Sequence, residues 1–234
     1  MTKNIQEVVA IIDRSGSMKG KEEDTISGIN TMINELKDKK KDDETILLSI
    51  KLFDHEQKVL YNSKNIDEIS ELTVNQLVPR GQTALLDAIG DTLSYFIEKK
   101  LTNNDIFKSC IVYIATDGFE NASIRYDKEK IKRIISNAEL NYNINMIYLG
   151  ANQDAIMEAA SIGIKSDSAI NYSENIGSIN AVYKSIARVA SSVREHGSAV
   201  SFTPEERVNS SQQLLTTPRP PLLRRQTDIA LAQK

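Results

Sequence analysis

"IIDRSGSMKG", residues 11–20, carries an apolar run straight into an aspartate and two serines spaced one apart. Upstream the run extends as "VVAII", a nearly unbroken β-branched stretch of the kind that forms a central parallel strand covered on both faces. Downstream come Asp13, Ser15 and Ser17, with Gly16 letting the backbone bend between them. In an open α/β sheet, ligands collect outside the carboxyl ends of the strands, where loops converge and helix N-termini point. The stretch therefore predicts a layered α/β fold and the place of its site together.

Working outward, short β-branched runs alternate with longer segments of helical period, which is the pattern of a mostly parallel sheet. The candidate strands are 6–12, 45–53, 56–61, 108–115 and 143–149. "CIVYIA" and "INMIYL" are as apolar as the first strand. "FDHE" lies between the second and third, so that pair reads as a hairpin with an antiparallel edge. Helices are predicted over 22–40, 84–99, 128–140, 153–161 and 174–195. Ile26, Ile29, Ile33 and Leu36 stripe the first, and Leu85, Ile89, Leu93 and Phe96 the second. The last is expected to start at a Ser173 N-cap and to close the domain through Ile176, Ile179, Tyr183, Ile186 and Val193. Asp87 and Asp91 recur at helical spacing on what reads as a solvated face, and Asp54 and His55 read as hairpin-turn residues.

Composition narrows the function classes. The 234 residues are 40% apolar and 26% charged, as in a soluble domain with a full core, and the net charge of -3 carries no footprint of nucleic acid or of an anionic membrane. The single cysteine, Cys110, lies within an apolar strand and reads as a small buried hydrophobe. The N-terminus lacks the apolar segment and small-residue cleavage site of a signal peptide, and no window approaches the length of a membrane span, so cytoplasmic residence is expected.

Residues 1–196 form the expected domain, and 197–234 a flexible tail containing "TPRPPLLRRQT". One part of that tail has local order written in it. Thr203, Pro204 and Glu206 make a capping box, which predicts a short helix over 204–212. Pro218 to Pro221 reads as a linker, with a polyproline ligand as the alternative.

Three strand-exit loops carry unusual chemistry: Asp13, Ser15 and Ser17 after the first strand, Thr83 in "PRGQTALLDAIG" immediately before a helix, and Asp117 in "ATDGFENAS". All five offer oxygen, and none offers nitrogen or sulfur. Hard divalent cations take such ligands; magnesium binds about six oxygens and keeps some of them as water. Zinc is disfavoured because His55 and His196 are isolated and the thiol is in a strand. Taken singly, each group reads more readily as a turn or cap residue, and only the three loops jointly reverse that reading.

These three parts, "DRSGSM", "GQTALLDAI" and "TDGFEN", resemble the metal-ion-dependent adhesion site of von Willebrand factor type A (VWA) domains, over roughly residues 1–195. The resemblance is to an intracellular, stand-alone member of bacterial or phage type. It implies a Rossmann-like three-layer sandwich, with one antiparallel edge strand and helices on both faces. It also implies Mg2+, or Mn2+ in its place, held directly by Ser15, Ser17 and, in some members, Thr83, with Asp13 and Asp117 acting largely through bound water. In the family a partner's Asp or Glu carboxylate completes the shell. The implied function is a non-enzymatic adaptor, in some cases beside an AAA-type ATPase in a multiprotein complex.

Two alternatives stand beside this. An aspartate leaving the first strand also opens magnesium-dependent phosphohydrolases, but those want a second aspartate two residues on, where this chain has Ser15. The third possibility is an assembly component that docks through its C-terminal tail.

Overall fold

β1 (Asn4–Asp13) is the axis of a six-stranded sheet ordered β3-β2-β1-β4-β5-β6. Its neighbours β2 (Glu44–Phe53) and β4 (Ser109–Thr116) both run parallel to it. Beyond β4 lie β5 (Ile144–Ala151) and β6 (Ala169–Tyr172), also parallel, while β3 (Gln57–Asn65) pairs antiparallel with β2 at the opposite edge. The computed structural model describes residues 4–104, 106–151, 154–197 and 200–211.

The alternation of side chains along β1 builds two cores. Val8, Ala10 and Ile12 join the cluster under α1 (Glu22–Asp38) and α5 (Ile176–His196), while Val9 and Ile11 join the one under α2 (Leu85–Thr102), α3 (Lys128–Tyr142) and α4 (Ala155–Ser161). Both faces are therefore apolar, which is why the run is unbroken. The fold is the mostly parallel, helix-flanked α/β sandwich with one antiparallel edge strand that the sequence predicts. The short β6 was not predicted, and the last helix is capped by the Asn175 side chain, which accepts from Ser178 N, rather than by Ser173.

The segment beyond 197 also departs from expectation. Val200 and Phe202 are buried in the core, and the capping-box helix α6 (Pro204–Ser211) packs on β6 and α5. Glu206 takes the Arg188 guanidinium through both carboxylate oxygens, and Arg207 Nη1 donates to Ala169 O at 2.7 Å. Ser210 Oγ donates to Asn171 O at 2.8 Å. Packed structure thus runs on past residue 197 to Ser211. The Pro218 to Pro221 run lies outside the described residues.

Two polar clusters are buried in this frame. At the amino end of the sheet, Arg194 is 2% exposed and pairs with Glu44 at 2.8 Å while donating to Gln6 Oε1 and Lys39 O. Mid-strand, Glu7 accepts from Ser49 Oγ at 2.7 Å and Ser63 Oγ at 2.8 Å, with Lys99 4.0 Å away. Burial outweighs those bonds and the Lys99 charge, so the Glu7 carboxyl sits above its ordinary value of 4.5. The folded chain therefore holds this proton longer than the unfolded one, and Glu7 makes stability fall as pH rises from about 4.5 through the folded value. Glu7→Gln should flatten that part of a melting-temperature-against-pH curve; an unaltered slope would mean that Glu7 is not its source.

The sheet order also fixes where a ligand would bind. From β1 the chain crosses through α1 to β2 on one side, while β4, β5 and β6 are laid down on the other, so the switch point is the crevice between the carboxyl ends of β1 and β4. Asp13 ends β1 and Thr116 ends β4.

Candidate metal centre

The loop after β1 turns back at once. Ser15 N donates to Asp13 Oδ1 at 2.6 Å, and a single 3-10 turn, Gly16–Met18, with Met18 buried beneath it, sets the Ser15 and Ser17 hydroxyls 3.0 Å apart. From the far side of the crevice, Asp117 accepts a hydrogen bond from Ser17 Oγ at 2.6 Å. Thr116 Oγ1 donates to Asp13 Oδ2 at 2.6 Å, so the two strand ends are joined twice.

Thr83 reaches the same place from the loop before α2. The N-cap of that helix is Ala84, so Thr83 does not serve as the cap residue. A Cβ on Gly118 would lie 3.3 Å from Thr83 Oγ1, 3.3 Å from Ser17 Oγ and 3.8 Å from Asp13 Oδ2. Three loops from distant parts of the chain therefore turn their oxygens toward one small space, which a methyl at 118 would enter. The structure brings together all five residues singled out in the sequence: Asp13, Ser15, Ser17, Thr83 and Asp117.

A scaffold of backbone and buried ion pairs holds these loops. Gly16 N donates to Gly81 O at 3.1 Å, and Gly81 has φ +69 with the His55 imidazole lying where a Cβ would be, a conformation and an approach that both favour glycine. Asp54, 1% exposed, pairs with Arg14 and Arg80, each at 3.0 Å, and Arg80 N donates to Arg14 O. Asp54, His55 and Glu56 could place ligand atoms within 4.8 Å of one another, but two guanidinium groups already neutralise Asp54. This turn is a clamp on the loops.

The 117–126 loop is zipped to the start of α2. Thr83 N donates to Asn121 Oδ1, Leu86 N to Glu120 Oε2, and Ile124, Arg125 and Tyr126 donate their backbone N–H groups to Asp87. Asp87 is buried in this role, not solvated, and those bonds hold its carboxyl below the usual range against the effect of burial. Asp91 pairs with Arg125 at 2.7 Å.

The charge of the site is unbalanced. Burial pushes the Asp13 carboxyl up; bonds from Thr116 and Ser15 offset part of this, and the Asp117 charge adds to it. Among the described ion pairs none reaches Asp13. Asp117, whose side chain is 1% exposed, is paired with Lys21, and Lys21 with Glu174. Burial alone would lower the Lys21 ammonium, but its bonds to Asp117 and Glu174 outweigh that and hold it above the ordinary lysine value. Lys21, Glu174 and Thr116 were not singled out in the sequence. One signal for Lys21 was available: a lysine at the N-cap of a helix faces the positive end of the dipole and calls for a carboxylate.

The fold resembles known structures at low identity. A von Willebrand factor type A protein from Catenulispora acidiphila superposes with a TM-score of 0.58 at 16% identity, over 80% of this chain and 42% of that one. The chain has the von Willebrand factor type A fold. The likeness extends to the manganese-loaded TRAP protein of Plasmodium vivax, with a TM-score of 0.55, 18% identity and coverage of 75% and 71%. It extends also to proximal thread matrix protein 1 of the mussel byssus with a zinc-occupied MIDAS motif, with a TM-score of 0.55, 13% identity and coverage of 80% and 46%. The chain thus spans less than half the length of the Catenulispora and mussel proteins. No protein-family model matches the sequence, and no curated protein is detectably similar to it.

The donor set suits a hard divalent cation. It offers hydroxyl and carboxylate oxygens only, two of the carboxylates share one buried space, and a protein ammonium already rests on one of them.

Proposed function

We propose that this chain is a non-enzymatic, cation-dependent protein-binding module, in which Ser15, Ser17, Thr83, Asp13 and Asp117 hold Mg2+ or Mn2+ and a partner's Asp or Glu carboxylate completes the shell. The observation that carries this is the joining of Ser17 Oγ to Asp117 Oδ1 across 100 residues of chain, with Thr83 Oγ1 beside them. When bound, the cation would supply positive charge that two carboxylates, one of them shared with Lys21, and three neutral hydroxyls do not enclose, which favours one more anionic oxygen. The residues do the rest: Thr116 and Ser15 N fix Asp13, Ser17 fixes Asp117, and the Asp87 and Glu120 bonds hold the Thr83 loop against them. An adaptor working in the cytoplasm, in a complex that includes an AAA-type ATPase, is the biological setting this reading carries over by analogy. Among the described residues no helix is long and apolar enough to cross a membrane.

Chemistry at Asp13 is disfavoured. Its side chain is buried and both its oxygens accept hydrogen bonds, so neither is presented as a nucleophile toward phosphorus.

Calorimetric titration with Mg2+, Mn2+ and Zn2+ tests the proposal; one equivalent bound to the wild-type chain and none to Asp13→Ala is the expected outcome. Capture of partners from extract should then require the cation and fail in chelator. Gly118→Ala provides a finer check, because its methyl would enter the space between Ser17, Thr83 and Asp13. We expect it to weaken Mg2+ binding by on the order of tenfold or more, with the melting temperature in chelator unchanged. Binding as tight as wild type would place the cation elsewhere.

A further inference from the structure

We propose that Lys21 sets how tightly this site holds a divalent cation: its ammonium pairs with Asp117 and Glu174 and competes with the cation for the Asp117 carboxylate. The inference rests on the metal-site reading above and goes beyond it by naming the competitor and its alternative partner.

Three observations favour competition over simple support. First, Asp117 does not need Lys21 for its orientation. Its Oδ1 is already held by Ser17 Oγ at 2.6 Å, and the lysine lies on the other oxygen, Oδ2. Second, Lys21 is anchored at the N-cap of α1, where the helix dipole opposes a cation, so its place there depends on the two carboxylates. Third, Glu174 gives the ammonium somewhere to go. That carboxylate stands outside the five-oxygen set, between β6 and α5, and its neighbourhood is fixed: Ser173 N donates to Ser210 O at 2.9 Å, and Asn175 N to Ser173 O at 2.8 Å. A divalent ion drawing on Asp117 would repel the ammonium toward Glu174, whose side chain is 32% exposed and can follow it.

The test is Mn2+ titration by calorimetry on the full chain, with melting temperatures taken in chelator and in Mn2+. Lys21→Met should bind Mn2+ about tenfold more tightly, the size expected for one ammonium facing a divalent ion across a few ångströms in a high-dielectric setting. The same variant should melt lower than wild type in chelator, because Asp117 is buried and loses its counter-charge, and should gain more on adding Mn2+. Glu174→Gln should act in the opposite sense and weaken Mn2+ binding several-fold, since Lys21 then depends on Asp117 alone. Lys21→Arg should stay close to wild type. A propping role for Lys21 predicts weaker binding in Lys21→Met, so equal or weaker binding there, with wild-type binding intact, overturns the competition. Should wild type and Lys21→Met both fail to bind Mn2+ while remaining folded, the metal-site reading falls with it. The Glu174→Gln arm decides the matter if Lys21→Met does not fold.

Discussion

Asp13→Asn should raise the melting temperature in chelator and abolish every gain from Mg2+. The two effects have one cause. Asp13 is a fully buried carboxylate facing a second one, with no counter-ion among the described ion pairs, so its charge destabilises the chain until a cation arrives. Asparagine keeps the acceptor for Ser15 N and presents its amide to Thr116 Oγ1, which can accept as well as donate. Removing the charge should therefore raise the melting temperature by about 2 to 6 °C, given that 1 kcal/mol shifts a domain of this size by about 2–4 °C. Wild type at a hundredfold excess of Mg2+ over its Kd should gain about 2.7 kcal/mol, or roughly 5–10 °C. The order of the two proteins then reverses on adding Mg2+. In chelator, wild-type stability should also decline as pH rises from 3.8 through the raised Asp13 value, because the folded state binds more protons there; the variant should lack that contribution. A variant that keeps the full Mg2+ response would remove Asp13 from the site.

Arg194→Met should cost about 3–5 kcal/mol, enough to lower the melting temperature by roughly 6–20 °C. Arg194 joins the carboxyl end of α5 to the starts of β1 and β2 and to the end of α1. It pairs with Glu44, donates to Gln6 Oε1 and to Lys39 O, and Gln6 in turn donates to Ala190 O. Methionine fills most of the volume but leaves Glu44, 5% exposed, with an unmatched buried charge. The loss should follow the stranded partner and not the missing attraction, so Arg194→Met with Glu44→Leu should recover most of it. Chemical denaturation of the four proteins in the cycle measures this. A double variant no more stable than Arg194→Met alone would assign the loss to packing.

The sequence and the structure agree where one local signal dominates. β1, β4 and β5 are apolar on both faces and could be little else, and "FDHE" marks the β2–β3 hairpin. β6 carries no such signal, because "AINY" is four residues long and flanked by polar ones. Asp87 differs for another reason: on α2 alone its spacing suggests an outward face, and only the folded-back 124–126 backbone turns it into a buried acceptor. The five oxygen-bearing residues were legible because each sits at a strand exit or helix start. Lys21, Thr116 and Glu174 were not, since their roles come from tertiary proximity between segments about 100 to 150 residues apart.

The hydrogen bonds from Arg207 and Ser210 to the outer carbonyls of β6 have a meaning for solubility. An open sheet has two flanks, and each can recruit a strand from another molecule. Here one flank ends in β3, with irregular register and lysines 58 and 64 along it, and the other is sealed by a helix from beyond the expected domain limit. A chain cut before Val200 would keep all five oxygen-bearing residues and yet bare a raw flank, inviting molecules to zip together side by side.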